Sequence, residues 1–127
     1  MKSLIINGTP TTPEVQFNGT SGILKIEGRS IPENPEDFFN PILSWLQAYF
    51  SHPKSQTEFH LILEYVNSGS AKFLLEMLRM VKEQLNSGGS VGIKWFFEEE
   101  DESIEELGQH YTDLLKIPIE IIPIKSE

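Results

Sequence analysis

The hydroxyls of Ser68 and Ser70, in the stretch Tyr65-Val66-Asn67-Ser68-Gly69-Ser70-Ala71-Lys72, are the side chains whose setting most invites chemistry. The stretch follows an alternating apolar run and precedes a helical one, so it reads as a turn from the carboxyl end of a strand into a helix. Such a turn lies on the surface, and the helix that starts there offers unpaired N–H groups and the positive end of its dipole. A phosphoryl group on Ser68 would be accommodated. It would add about −1.5 to −2 charge and three acceptor oxygens, enough to repel or re-aim a partner docked on the helix that follows. The commoner role of a serine here is plainer, since Ser68 or Ser70 would serve as an N-cap.

Other reactive residue types are scattered. Glu98-Glu99-Glu100-Asp101-Glu102 supplies carboxylates of the kind that hard cations prefer, but five consecutive acids point in different directions and the run lacks an EF-hand glycine. A solvated run ahead of a helix is expected, without a metal. His52, His60 and His110 lie far apart in sequence, and Trp45 and Trp95 fit core positions. With no cysteine, a thiolate nucleophile and a cysteine-ligated metal are excluded. Neither a Gly-x-Ser-x-Gly elbow nor a phosphate-binding loop occurs, so a non-enzymatic protein without a cofactor is expected.

Ten Lys and Arg against 19 Asp and Glu give a net charge of −9, which repels nucleic acid and anionic membranes. Met1-Lys2-Ser3-Leu4-Ile5-Ile6 is too short an apolar start for a secretory signal, and no run approaches the roughly 18 apolar residues of a membrane span. A cytoplasmic location without membrane insertion is expected.

These residues need elements to position them, and 127 residues with 39% hydrophobic content suit one domain, 1–127, with its own core. Turn clusters at residues 8–13 and 18–22 separate a run around Val15-Gln16-Phe17 from Ile23-Leu24-Lys25-Ile26-Glu27, which predicts a hairpin. Asn34-Pro35-Glu36-Asp37 supplies a cap, a proline at the first helical position and two acids, so a helix starts there; Pro41 predicts a kink or a loose first turn. Phe59 to Val66 alternates with apolar residues on both faces, as an inner, central strand does. A helix with the stripe Ala71, Leu74, Leu75, Leu78, Val81 and Leu85 runs from the serine turn to Gly88-Gly89. A strand from Val91 to about Phe97 follows, then a helix capped at Ser103 and ending near Lys116, then a strand over Ile117–Ile122 placed at an edge by Pro118. Strands joined by helices of this length imply a mostly parallel sheet. The expected fold is therefore an α/β, STAS-like single domain: a mixed sheet of about five to six strands with an N-terminal hairpin, and three main helices covering mostly one face.

This order of elements around Asn-Ser-Gly-Ser resembles the STAS-type fold of anti-sigma factor antagonists, in which a kinase modifies a serine at the same turn. A narrower resemblance is carried by Gly8-Thr9-Pro10-Thr11-Thr12-Pro13-Glu14-Val15, Pro32-Glu33-Asn34, Leu63-Glu64-Tyr65-Val66-Asn67-Ser68, Gly88-Gly89 and Val91-Gly92-Ile93-Lys94-Trp95-Phe96-Phe97. Together these motifs resemble the SiaC family of bacterial regulatory phosphoproteins over nearly the whole chain. The resemblance implies partner switching. A cognate Ser/Thr kinase modifies the protein, a metal-dependent Ser/Thr phosphatase reverses this, and the unmodified form binds a downstream effector, with a diguanylate cyclase and hence cyclic-di-GMP signalling as the candidate. The family's phosphoacceptor is a threonine in an Asn-Thr-Ser-Ser stretch, which falls on Ser68 here, with Ser70 as the alternative. Serine keeps the hydroxyl, while Gly69 replaces a serine and loosens the turn.

For the partner surface, Phe73, Met77 and Met80 fall at i, i+4 and i+7 beside the core stripe of the helix, where thioethers suit adaptable docking. Asn67, Gly69 and Lys72 complete the expected partner-binding set. The plainer role of the three apolar residues is to widen a buried face. A second class of function on the same fold is a sensory module binding a nucleotide or lipid near the switch turn, since strand carboxyl ends often form clefts. Oligomeric state is left open.

Overall fold

Alternate residues along the longest strands are apolar and point the same way, and this one-sided pattern sets the architecture. The computed structural model describes residues 1–125. In chain order the elements are β1 (Leu4–Ile6), β2 (Glu14–Asn18), β3 (Ile23–Ser30), α1 (Pro35–Ser51), β4 (Thr57–Val66), α2 (Ser68–Asn86), β5 (Val91–Glu98), α3 (Glu102–Leu115) and β6 (Ile119–Ile124). They form a single α/β domain around one six-stranded sheet, with the strands side by side in sequence order. The β1–β2 and β2–β3 pairs are antiparallel, and β3 to β6 are parallel. Right-handed crossovers that all step in one direction across a sheet deposit every helix on the same face. Accordingly Val15, Phe17, Leu24, Ile26, Phe59, Leu61, Ile93 and Trp95 are buried under the helices. Lys25, His60 and Lys94, paired in register across the other face, stay partly open to solvent.

The expected hairpin is β2 and β3, and β4 is central as its composition requires. The short strand β1 adds to the expected set. Its three residues are too few for a periodic signal, and it is held at the edge by pairing with β2 and by Trp45 Nε1, which donates to the Lys2 carbonyl at 2.8 Å. Helix α1 is capped by Asn34 and runs unbroken through the exposed Pro41; its opening bond, Phe38 N–H to the Asn34 carbonyl, is long at 3.3 Å. Helix α3 starts earlier than its capping-box spacing suggests. Asp101, not Ser103, is the N-cap, accepting from the Ile104 N–H at 3.1 Å. At the other edge, β6 begins at Ile119, because Pro118 cannot donate to the ladder and Ile117 is buried as a plug beneath it.

Helix α2 packs between its neighbours through Leu74, Met77, Leu78 and Val81, all fully buried. Met77 therefore belongs to the core and leaves the expected docking set: the stripe it shares with Phe73 faces α1, where Phe73 stacks on Phe39 with ring centres 5.2 Å apart. Replacing Met77 with Ala should lower the free energy of unfolding by about 2–5 kcal/mol. A denaturant titration reads this directly, and a wild-type midpoint would mean that the side chain is not enclosed as described.

Candidate functional site

The serine turn is built from the end of β3 as much as from the strand that precedes it. Gly28 takes a positive φ of 127°, and the β3–β4 register slips between Gly28 and Arg29, so that Arg29 pairs with Tyr65 and Glu64 is bulged out of the ladder. This φ is open to glycine and strained for other residues. The bulge brings Ser30, fully buried, opposite Val66 and under the turn. There the Ser30 carbonyl accepts the Asn67 N–H at 3.0 Å and the Ser70 hydroxyl at 3.0 Å, while the Ser30 hydroxyl donates to Ser70 Oγ at 2.8 Å. Asn67 has extended backbone angles and caps α2, its side-chain oxygen accepting from the Ser70 N–H at 2.8 Å and its carbonyl from the Ala71 N–H at 2.9 Å. The amide of Asn67 also lies within 3.5 Å of the Pro32 carbonyl.

Because Asn67 is the cap, neither serine serves that role, and the two hydroxyls have opposite fates. Ser70 is fully buried with its hydroxyl locked to Ser30. A phosphate there would have to break that pair and enter the core, which removes Ser70 as the alternative phosphoacceptor. Ser68 is the first residue of the helix and is exposed, and its hydroxyl makes no hydrogen bond among the described residues.

Beside Ser68 opens a cleft of about 500 Å³ between the end of β4, the first turn of α2 and the start of α3. Val66, Ala71, Ile104 and Leu107 form its apolar lining, Tyr65 stands 55% exposed at its wall, and Glu64 and Asp101 bring carboxylates to it. On the strand side the Arg29 guanidinium lies 6.0 Å from the Tyr65 ring centre. The two acids oppose the phosphates of a nucleotide, so the cleft does not favour the nucleotide expected as one ligand of a sensory module. Behind it, the Tyr111 hydroxyl of α3 donates to the Ala71 carbonyl, tying α3 to the first turn of α2; burial pushes this phenol up to about 12.

The remaining expected site residues separate. Lys72 is exposed on the face of Ser68, and Asn67 and Gly69 are half-buried. Gly69 has a packing reason that its spacing in the sequence does not reveal: a Cβ there would meet Pro35 Cγ of α1 at 2.7 Å. Phe73 is half-buried against α1, and Met80 lines a separate groove with Gln47, Phe50 and Ser87. The acid run is exposed except for the capping Asp101, and no metal-ligating cluster forms among the described residues. No helix of the described residues is long and apolar enough to cross a membrane. Sequence reasoning missed Ser30 and Tyr111. Each acts through a contact with a residue 40 positions away, and neither sits in a motif.

Fold and turn together define a class: small α/β domains with helices on one face that present a free serine where the central strand hands over to a helix. The model of the SiaC family of regulatory phosphoproteins matches residues 6–124, and the chain belongs to that family. It is 28% identical over 121 residues to an uncharacterised protein of Pseudomonas aeruginosa, covering 95% of this chain and 96% of that one. Its fold is similar to apo-SiaC of P. aeruginosa, with a TM-score of 0.89 and 27% identity over 96% of this chain and 99% of that one. It is equally similar, at a TM-score of 0.89 and 27% identity over 95% and 99% of the two chains, to SiaC in complex with the diguanylate cyclase SiaD, of which SiaC is the activator.

Two variants test the construction of the turn. Gly69→Ala gains up to about 1 kcal/mol of helix propensity but must displace a proline ring, which costs about 1–3 kcal/mol, so thermal unfolding should show net destabilisation. A stabilised variant would mean that Pro35 yields freely. For Tyr111 the raised value means that the folded state holds its proton more tightly. Stability is fully present below the ordinary phenol range near 10 and is lost as pH rises from there toward about 12. In Tyr111→Phe that alkaline loss should be smaller in urea titrations at pH 9 and pH 11, and an unchanged difference would remove the burial of this hydroxyl as its cause.

Proposed function

We propose that this protein is a phosphorylation-controlled partner switch whose phosphoacceptor is Ser68. Its unmodified form binds and modulates a downstream effector, of the diguanylate cyclase class that SiaC of P. aeruginosa activates, and it acts by binding rather than by catalysis. A cognate Ser/Thr kinase adds the phosphate, and a metal-dependent Ser/Thr phosphatase removes it.

The observation that carries the reading is the contrast at one turn: Ser68 is exposed with an unengaged hydroxyl, and Ser70 is fully buried in a hydroxyl pair. A kinase must reach the hydroxyl it modifies, and of the two serines of this turn Ser68 alone can be reached without opening the fold. Family membership supplies the regulatory context, and the complex of SiaC with SiaD supplies the effector class. Placed on Ser68, a phosphate stands on the exposed first turn of α2, where it changes charge and shape for any partner that covers that turn.

The test has two arms. Peptide mass spectrometry on protein purified from its own cells should find phosphate on Ser68, retained in Ser70→Ala and absent in Ser68→Ala. Calorimetry with the purified diguanylate cyclases of the same organism, and with SiaD as a reference probe, should then show one that binds the unmodified chain and Ser68→Ala alike. Phosphate on Ser68 should weaken that binding at least tenfold, a change of about 1.4 kcal/mol. Equal affinity of the two states would overturn the switch, and phosphate confined to another residue would overturn the site.

A further inference from the structure

Where a phosphate on Ser68 comes to rest depends on the charges around it. Of the first four N–H groups of α2 those of Ser70 and Ala71 are taken by Asn67, which leaves those of Ser68 and Gly69 beside the phosphate and fixes no direction for it away from the helix start. On the cleft side stand the carboxylates of Glu64 and Asp101. On the α1 side Pro35 closes on Gly69, and the next residue is the exposed Glu36. On β3 the cation at this end of the strand, Arg29, lies with its guanidinium 6.0 Å from the Tyr65 ring centre and does not line the cleft. Helix α2 itself contributes Lys72, exposed and without an ion pair among the described residues. It lies four residues after Ser68, hence on the same helical face, with the anion N-terminal to the cation as the favourable order requires. The acid that competes for it, Glu76, follows it by four in the weaker order.

Taking Ser68 as the phosphoacceptor proposed above, we infer that Lys72 is the positioning residue of the modified state: it holds the phosphoryl group on the outer face of α2, turned away from the acidic cleft. The repulsion from Glu64 and Asp101 and the attraction of Lys72 act in the same direction. Phosphorylation then leaves the cleft open and masks the outer face of the first two α2 turns, so the surface it denies to a partner is that face.

The experiment uses the full chain with phosphoserine installed at position 68 during synthesis, whether or not cells make it, and follows the phosphate by ³¹P NMR through its second ionisation. Lys72→Gln should raise the phosphate pKa by about 0.2–0.4 pH unit, the size of an exposed i,i+4 ion pair. Lys72→Arg should restore the original value, and Glu64→Gln should lower it by less than the Lys72 change. Superimposable curves for Lys72→Gln and the parent would overturn the inference, as would a Glu64→Gln shift larger than that of Lys72→Gln, which would place the phosphate in the cleft. Either result leaves the identity of the phosphoacceptor untouched, because that is read separately from protein made in its own cells.

Discussion

The carbonyl of Ser30 accepts two hydrogen bonds, from the Asn67 backbone and from the Ser70 hydroxyl, and the presentation of Ser68 depends on that double contact. It fixes the residue before Ser68 and a residue after it to the same point at the end of β3. The Ser30 hydroxyl then donates to Ser70, so every polar group beneath the turn is satisfied in a place without solvent. Leaving one such group unpaired costs about 1–3 kcal/mol, and this penalty keeps the turn in a single arrangement. The exposed hydroxyl of Ser68 is the complement of the buried hydroxyl of Ser70, since helical geometry turns residues two apart to different sides.

Long-range order serves that contact. The parallel β3–β4 pairing delivers Ser30 to the turn, and the slip at Gly28 sets which residue arrives, since a register without it would oppose different side chains. From the other side, Pro35 rests on Gly69, and Tyr111 reaches the Ala71 carbonyl from α3. The serine turn is thereby held by β3, α1 and α3. Successive same-direction crossovers are what bring those elements to one end of the sheet.

Much of this was legible in the chain. Helical spacing gave α2, alternation gave β4 as the central strand, and Asn34-Pro35 gave the start of α1, because each is a local property of the residues concerned. The serine turn was legible as a turn, but its cap was expected at Ser68 or Ser70 and falls on Asn67, because Ser30 holds the Asn67 backbone and takes the Ser70 hydroxyl into the core. Met77 could not be assigned to core or surface from periodicity, because it lies on the border of the apolar stripe and its burial depends on how closely α1 approaches. Likewise Gly69 reads as a flexible link in sequence, yet its small size answers a neighbour 34 residues away. What sequence pattern leaves out is which tertiary neighbour fills each border position.

A turn braced on three sides responds to phosphate differently from a loose one. Melting α2 or swinging its start away would require breaking the buried serine pair and the Tyr111 contact together, so the added charge is expressed on the surface rather than through a rearranged fold. Exposed charge is screened within about 8 Å at physiological ionic strength. The groove around Met80 begins 12 residues along α2, roughly 18 Å at 1.5 Å per residue, and a partner seated only there would scarcely sense the change. A partner released by modification of Ser68 must therefore touch the first two turns of α2, and Met80 can take part only as the far end of a longer footprint.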